Sequence, residues 1–170
     1  KHFQARGFAV LRFNFRGVGR SQGEYDNGEG ELSDAATAMD WLQAQNPASR
    51  ECWIAGFSFG SWVGMQLMMR RPEIRGFIAA TPPALTHDFS FLAPCPASGL
   101  IVHGEEDEQV PPDAIRKLVE RLSIQKGVTI DIDLVPGANH FFTDHLDPMI
   151  EQVSTYLDKT LNESGFDPLA

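Results

Sequence analysis

The apolar positions along this 170-residue chain fall into two kinds of run. Phe8-Ala9-Val10-Leu11-Arg12-Phe13, Cys52-Trp53-Ile54-Ala55, Ile74 to Ala80 and Gly99 to Val102 are short and nearly continuous, the pattern of strands buried on both faces. Ile130, Ile132 and Leu134 instead alternate with Asp131 and Asp133, which predicts a strand with one wet face, close to a sheet edge. Between these runs the period changes to that of a helix. Leu32, Ala35, Ala36, Met39 and Leu42 share one face, as do Ile115, Leu118, Val119 and Leu122, and Ile150, Val153, Leu157 and Leu161. Ser61 to Arg71 reads as a further helix ending before Pro72. Ser33 and Asp34 suit the first turn of the earliest helix and Asn46-Pro47 ends it, while Asp147-Pro148 opens the last.

Two segments have no period. Asn14 to Gly30 carries Gly17, Gly19, Gly23, Gly28 and Gly30 and is predicted as a loop, as are residues 84–97 with Pro94 and Pro96. Lys1 to Arg6 looks like the end of a helix stopped by Gly7. So short a helix is marginal alone, so preceding sequence is expected. Strand and helix alternate with short connections, which predicts the α/β class: a mostly parallel sheet flanked by helices on both faces. One domain is expected over 1–163, followed by a flexible tail over 164–170. Ligands of such sheets sit at the carboxyl ends of the strands.

Composition narrows the range of functions. Apolar residues make up 42% and charged residues 22%, with 12 Phe and 3 Trp, so the chain is globular rather than disordered. No run approaches the roughly 20 apolar residues of a membrane helix, and no basic-then-apolar leader opens the chain. A cytoplasmic protein is expected. A net charge of -9, from 23 acidic against 14 basic residues, opposes binding to nucleic acid or an anionic membrane. Cys52 and Cys95 lack the spacing of a disulfide framework or a zinc site.

Gly56-x-Ser58-x-Gly60 falls where a buried strand turns directly into a helix, the setting of a nucleophile elbow. The turn lifts the serine oxygen out of the sheet, and the amide of Phe59 at the helix start points toward a developing oxyanion. A plain glycine-rich turn with a serine cap is the alternative. A nucleophilic serine needs a base, and the base an orienting acid. His103-Gly104-Glu105-Glu106-Asp107-Glu108 follows one later strand and offers Asp107, with the neighbouring glutamates as rivals. Gly137-Ala138-Asn139-His140-Phe141-Phe142 follows another and offers His140, with His145 as its rival. Gly17-x-Gly19-x-x-x-Gly23 has the wrong spacing for a dinucleotide fingerprint, so no cofactor-binding residue is assigned and Arg16 is expected to brace the loop. The acidic and histidine residues near 105–108 and 140–145 follow no fixed ligand spacing, so no metal site is assigned either. His103 is taken to mark a strand end, and Met65, Met68 and Met69 to be core or pocket wall.

These segments resemble the α/β-hydrolase superfamily, and within it the small lidless branch of dienelactone-hydrolase-like and esterase-like members. Four stretches carry the resemblance: Phe13-Asn14-Phe15-Arg16-Gly17-Val18-Gly19-Arg20-Ser21, the turn at Ser58, His103-Gly104-x-x-Asp107-x-x-Val110-Pro111, and Gly137-x-x-His140-Phe141-Phe142. The resemblance implies a fold of eight strands, of which about five are expected here, with the first strands and the second oxyanion donor lying outside this chain. It further implies Ser58 as nucleophile, His140 as general base and then acid, Asp107 as the residue holding the histidine, and Phe59 as one oxyanion donor.

The activity expected is that of a serine hydrolase acting on a carboxylic ester or similar small acyl compound through an acyl-enzyme, without a cofactor. A serine peptidase or thioesterase would use the same residues. A non-catalytic α/β binding module is the alternative from a different class.

Overall fold

Four of the apolar runs hydrogen-bond into one parallel sheet. In the computed structural model, which describes residues 1–49, 51–124 and 126–164, β1 (Cys52–Phe57), β2 (Ile74–Ala80), β3 (Ser98–Gly104) and β4 (Ile130–Val135) lie side by side in chain order. Ala55 stands opposite Ile78, Ile78 opposite Leu100, and Ile101 opposite Ile132. β2 and β3 are buried along nearly their whole length, while the outer strands β1 and β4 are only partly covered. The Ile/Asp alternation in β4 thus reads correctly as an outer strand, although Asp131, Ile132, Asp133 and Leu134 are all half-buried rather than alternately wet and dry.

Helices cover both faces of this sheet. Successive strand residues point to opposite faces, so Ile54 and Trp53 of β1 report on different sides. Ile54 meets α2 (Phe59–Met68), where a Cβ on Gly64 would lie 2.5 Å from the isoleucine methyl. Only a glycine lets the helix come that close. Trp53 on the other side meets Tyr156 of α4 (Leu146–Ser164) edge-on, with ring centroids 6.4 Å apart, a pair worth about 0.5–1.5 kcal/mol beyond its buried area. α3 (Pro112–Ser123) packs along β3 and β4. The core between these layers holds Met65, Met68, Phe77, Leu100, Ile101, Ile115 and Leu157, all essentially inaccessible to solvent. Apolar area of that kind contributes roughly 25 cal/mol per Å² removed from water.

Residues Glu51–Lys159 form one compact unit; Lys1–Arg50, with the end of α4 from Thr160, form another. The latter opens with a 3-10 turn, Gln4–Arg6, closed by Gly7 at φ 85°, so the expected helix end is present in tighter form. The fifth strand expected over Phe8 to Phe13 is absent. Those residues join no ladder among the described residues, and Val10 and Phe13 are 40% and 43% exposed. A strand exists through the neighbour that accepts its backbone hydrogen bonds, which an apolar run alone does not provide. The described sheet therefore has four strands.

Helix α1, Glu29–Gln45, begins inside the predicted loop. Gly28 caps it at φ 96°, and the buried Glu31 carboxylate turns back to accept the backbone N–H groups of Gly28 at 2.8 Å and Asp26 at 3.0 Å. Asp34 consequently lies beyond the first turn and takes another role. It accepts Arg16 Nη2 at 2.8 Å, Nε at 3.1 Å and backbone N at 2.9 Å, so Arg16 does brace its loop. Of the tail expected over 164–170, Ser164 is the last residue of α4 and residues 165–170 lie outside the described residues.

Candidate active site

β1, β3 and β4 run parallel, so the loops leaving their carboxyl ends emerge on one side of the sheet. Ser58 is the single residue between β1 and α2. Its backbone sits at φ 48°, ψ -120°, a conformation that costs a non-glycine residue on the order of 1–3 kcal/mol. Backbone hydrogen bonds hold it there. Its N–H donates to the Ala80 carbonyl of β2 at 2.8 Å, and its carbonyl accepts the Ser61 N–H at 2.9 Å and the Ser61 hydroxyl at 2.6 Å. The turn is tight enough that a Cβ on Gly56 would fall 2.5 Å from the Gly60 carbonyl oxygen, which explains the glycine before the serine. Phe59 supplies the first amide of α2, at the end of the helix where the dipole favours negative charge.

Asp107 lies on the loop leaving β3 and is 4% exposed, whereas Glu105, Glu106 and Glu108 beside it are exposed. Burial sets Asp107 apart from its three acidic neighbours. Its Oδ1 accepts the backbone N–H groups of Gln109 at 2.8 Å and Val110 at 2.9 Å, and its Oδ2 accepts His140 Nδ1 at 2.7 Å. With Nδ1 donating to a carboxylate, Nε2 of neutral His140 is the bare nitrogen and accepts the Ser58 hydroxyl, 3.1 Å away. The three residues are thus joined as Ser58, His140, Asp107 in one hydrogen-bonded relay. The hydroxyl proton has an acceptor in place, and a positive imidazolium would lie against a buried carboxylate.

The loop after β4 that carries His140 is organised by its own sequence. The Asn139 side-chain oxygen accepts the N–H groups of Phe141 at 3.1 Å and Thr143 at 3.0 Å, and Phe142, at φ 53° and 2% exposed, anchors it. Gly104, the last residue of β3, lets this loop approach the Asp107 loop, for a Cβ there would lie 2.4 Å from the Ala138 carbonyl oxygen. The backbone bonds Glu105 N–H to Val135 at 3.0 Å and Glu106 N–H to Ala138 at 2.9 Å tie the two loops together. Around the imidazole, the rings of Phe57 and Phe141 stand 5.5 and 5.1 Å away and are 43% and 64% exposed. These two aromatics border the site; Phe142 is packing.

Other candidates fall elsewhere. His145 donates its Nδ1 hydrogen to the Thr143 carbonyl at 2.8 Å and is not part of the relay. His87 lies against Trp62, the rings tilted by 59° with centroids 4.6 Å apart. Among the described residues no group of three or more His, Cys, Asp or Glu side chains is arranged to hold a metal ion, and no helix is long and apolar enough to cross a membrane. His103, read from sequence as a strand end, turns out to be fully buried beside Asp107, its Nε2 donating to the Val110 carbonyl at 2.8 Å. Burial pushes its imidazole below the usual value, outweighing the upward pull of the Val110 hydrogen bond and the Asp107 charge, so it is neutral. A histidine continuing the run Leu100-Ile101-Val102 was the signal that a buried polar partner had to exist.

Solved structures share this arrangement of strands and helices. A crystal structure of a protein of unknown function from Agrobacterium tumefaciens, described provisionally as an α/β hydrolase, is 56% identical and matches 95% of this chain over 74% of its own with a TM-score of 0.93. The chain belongs to the α/β-hydrolase superfamily. A lidless α/β serine hydrolase from Xanthomonas campestris is 33% identical over 89% of this α/β-hydrolase chain and 65% of its own, with a TM-score of 0.74. An uncharacterized protein of Rickettsia prowazekii is 50% identical over 155 residues, and the chain spans 65% of that relative's length. Two family models divide the α/β-hydrolase chain: X-Pro dipeptidyl-peptidase (S15 family) matches residues 1–91 and the prolyl oligopeptidase family residues 88–164.

Proposed function

We propose that the protein is a serine hydrolase that cleaves a carboxylic ester or similar small acyl compound. The observation that carries this reading is the relay of 3.1 and 2.7 Å from Ser58 through His140 to Asp107. In the proposed reaction Ser58 Oγ attacks the acyl carbonyl while its proton passes to His140 Nε2. The negative oxygen of the tetrahedral intermediate faces the Phe59 amide at the head of α2; one such donor is worth about 2.7–4 kcal/mol. His140 then returns the proton to the leaving alcohol, leaving the acyl group on Ser58. Water, deprotonated by the same nitrogen, releases the acid and restores the serine. Asp107 holds the imidazole and exchanges no proton in these steps. Its two backbone N–H partners fix its orientation, and it stabilises the transient imidazolium.

The ester reading is supported by the open surroundings of the relay. The segment from Thr81 to Ala97 holds only a 3-10 turn, Ser90–Leu92, with no inserted cap, and the exposed Phe57 and Phe141 rings offer an apolar border for an acyl chain. Peptidase chemistry is the second reading, favoured by the two matching family models. Reaction of the full-length protein with a fluorophosphonate probe tests the shared mechanism: labelling at Ser58 is expected, and its absence where a known esterase labels leaves the non-catalytic alternative. p-Nitrophenyl butyrate against an Xaa-Pro p-nitroanilide then separates the two chemistries. Turnover of the anilide alone would reject the ester reading.

A further inference from the structure

We propose that His103 is a positioning residue that sets the orientation of the Asp107 carboxylate, an inference that rests on the relay reading of Ser58, His140 and Asp107. The Asp107 carboxylate is aimed by the amides of Gln109 and Val110, and those amides hold a direction only as well as their own loop is held. That loop leaves β3 at Gly104 and returns past Val110. His103, the residue before Gly104, reaches across it and donates Nε2–H to the Val110 carbonyl at 2.8 Å. Val110 is therefore fixed on both sides: its N–H by the carboxylate, its carbonyl by the imidazole. One side chain closes the loop onto its own strand.

The state of the ring follows from its partners. A carbonyl only accepts, so Nε2 carries the hydrogen and Nδ1 of the neutral ring is bare. Nδ1 is buried with no hydrogen-bond partner among the described residues, an arrangement that costs stability. An apolar side chain would extend the run Leu100-Ile101-Val102 without that cost; what the imidazole adds is the hydrogen bond to Val110. Its neutrality matters too. Nε2 lies 3.6 Å from Asp107 Oδ2, and a cation there would compete with His140 for the carboxylate's charge. Burial keeps it uncharged.

The test compares His103→Leu and His103→Gln in the full-length protein, using p-nitrophenyl butyrate and the rate of fluorophosphonate labelling per folded molecule. The glutamine amide nitrogen reaches about as far as Nε2 and can donate to Val110; leucine cannot. The leucine variant should lose roughly 10- to 100-fold in kcat, the range for second-layer support and for displacements near 1 Å, with KM unchanged, and the glutamine variant should recover most of the loss. A leucine variant with parental kcat, or a glutamine variant as slow as leucine, overturns the proposal. If the leucine variant does not fold, imidazole ¹⁵N shifts of the parent protein decide: Nε2 protonated and Nδ1 bare supports the role, while the opposite tautomer or an imidazolium at neutral pH refutes it. A parent protein that neither labels nor turns over ester removes the relay reading and this inference with it. A parent that labels beside an equally reactive leucine variant removes the positioning role alone.

Discussion

Gly104→Ala tests whether the approach of two loops sets the relay. The added Cβ would lie 2.4 Å from the Ala138 carbonyl oxygen and 2.7 Å from that of Asn139. Both are backbone atoms, so no side-chain rotation relieves the contact. Comfortable carbon-to-oxygen contacts begin near 3.3 Å, so the loops must part by roughly 0.9 Å. His140 follows Asn139 directly, and its Nδ1 stands 2.7 Å from Asp107 Oδ2. If the whole displacement reached that pair the separation would become about 3.6 Å, which is no longer a hydrogen bond. Misplacement on this scale costs about 100-fold in rate, and forced overpacking costs about 1–3 kcal/mol of stability. The assay pairs kcat for p-nitrophenyl butyrate with urea unfolding of the full-length protein, and both should fall. A variant that loses stability but keeps parental kcat would show that the loops part without disturbing the relay, and the reasoning fails. Parental values of both would refute the contact itself.

Further predictions concern strain and charge. Ser58→Gly and Ser58→Ala both abolish labelling, but glycine relieves the positive φ of 48°, so it should unfold with a free energy higher by on the order of 1 kcal/mol; the reverse order in urea melts would show that the elbow is unstrained. The hydrogen bonds from Arg16 hold the Asp34 carboxyl below its ordinary value. Its contribution is thus present above the unfolded carboxylate pKa of about 3.9 and lost as pH falls below it. Asp34→Asn should therefore flatten the decline in stability at acid pH, and a decline as steep as the parent's would count against the pairing. Burial depresses His103, so the unfolded chain takes up a proton near pH 6.5 that the folded one refuses, and stability falls as pH drops through that range. His103→Gln should remove this component, which is read by comparing urea midpoints at pH 7.5 and 5.5.

How much of this was visible in the sequence depends on how local each feature is. Strands β1 to β4 are short apolar runs, and the alternation over Ile130 to Val135 marked that strand as an outer one, because the period of side chains along a strand is a property of the chain alone. The turn at Ser58 was equally legible: Gly56 and Gly60 flank a serine at a strand-to-helix junction, and sterics permit few other residues there. The run Phe8 to Phe13 looked the same as β1, yet a strand is made by a partner's hydrogen bonds, which the run does not contain. The start of helix α1 was hidden by its glycines, since Gly28 caps it through backbone shape and Glu31 folds back to satisfy the amides.

The candidate site divides in the same way. Residue types and chain order nominated Ser58, Asp107 and His140, but the acid came with three glutamate rivals and the base with His145. Only the packed structure separates them, because Asp107 alone among the four is buried where two backbone amides and an imidazole converge. His103 shows the limit best: its letter in the sequence marks a strand end, and its hydrogen bond to Val110 exists only once the loop has closed. The alternation of elements and the chemistry available at their junctions are both set within a few residues of chain. Which of those groups meet follows from packing over long separations, since distances between Ser58, Asp107 and His140 depend on strands pairing in register and on loops packing through Gly104.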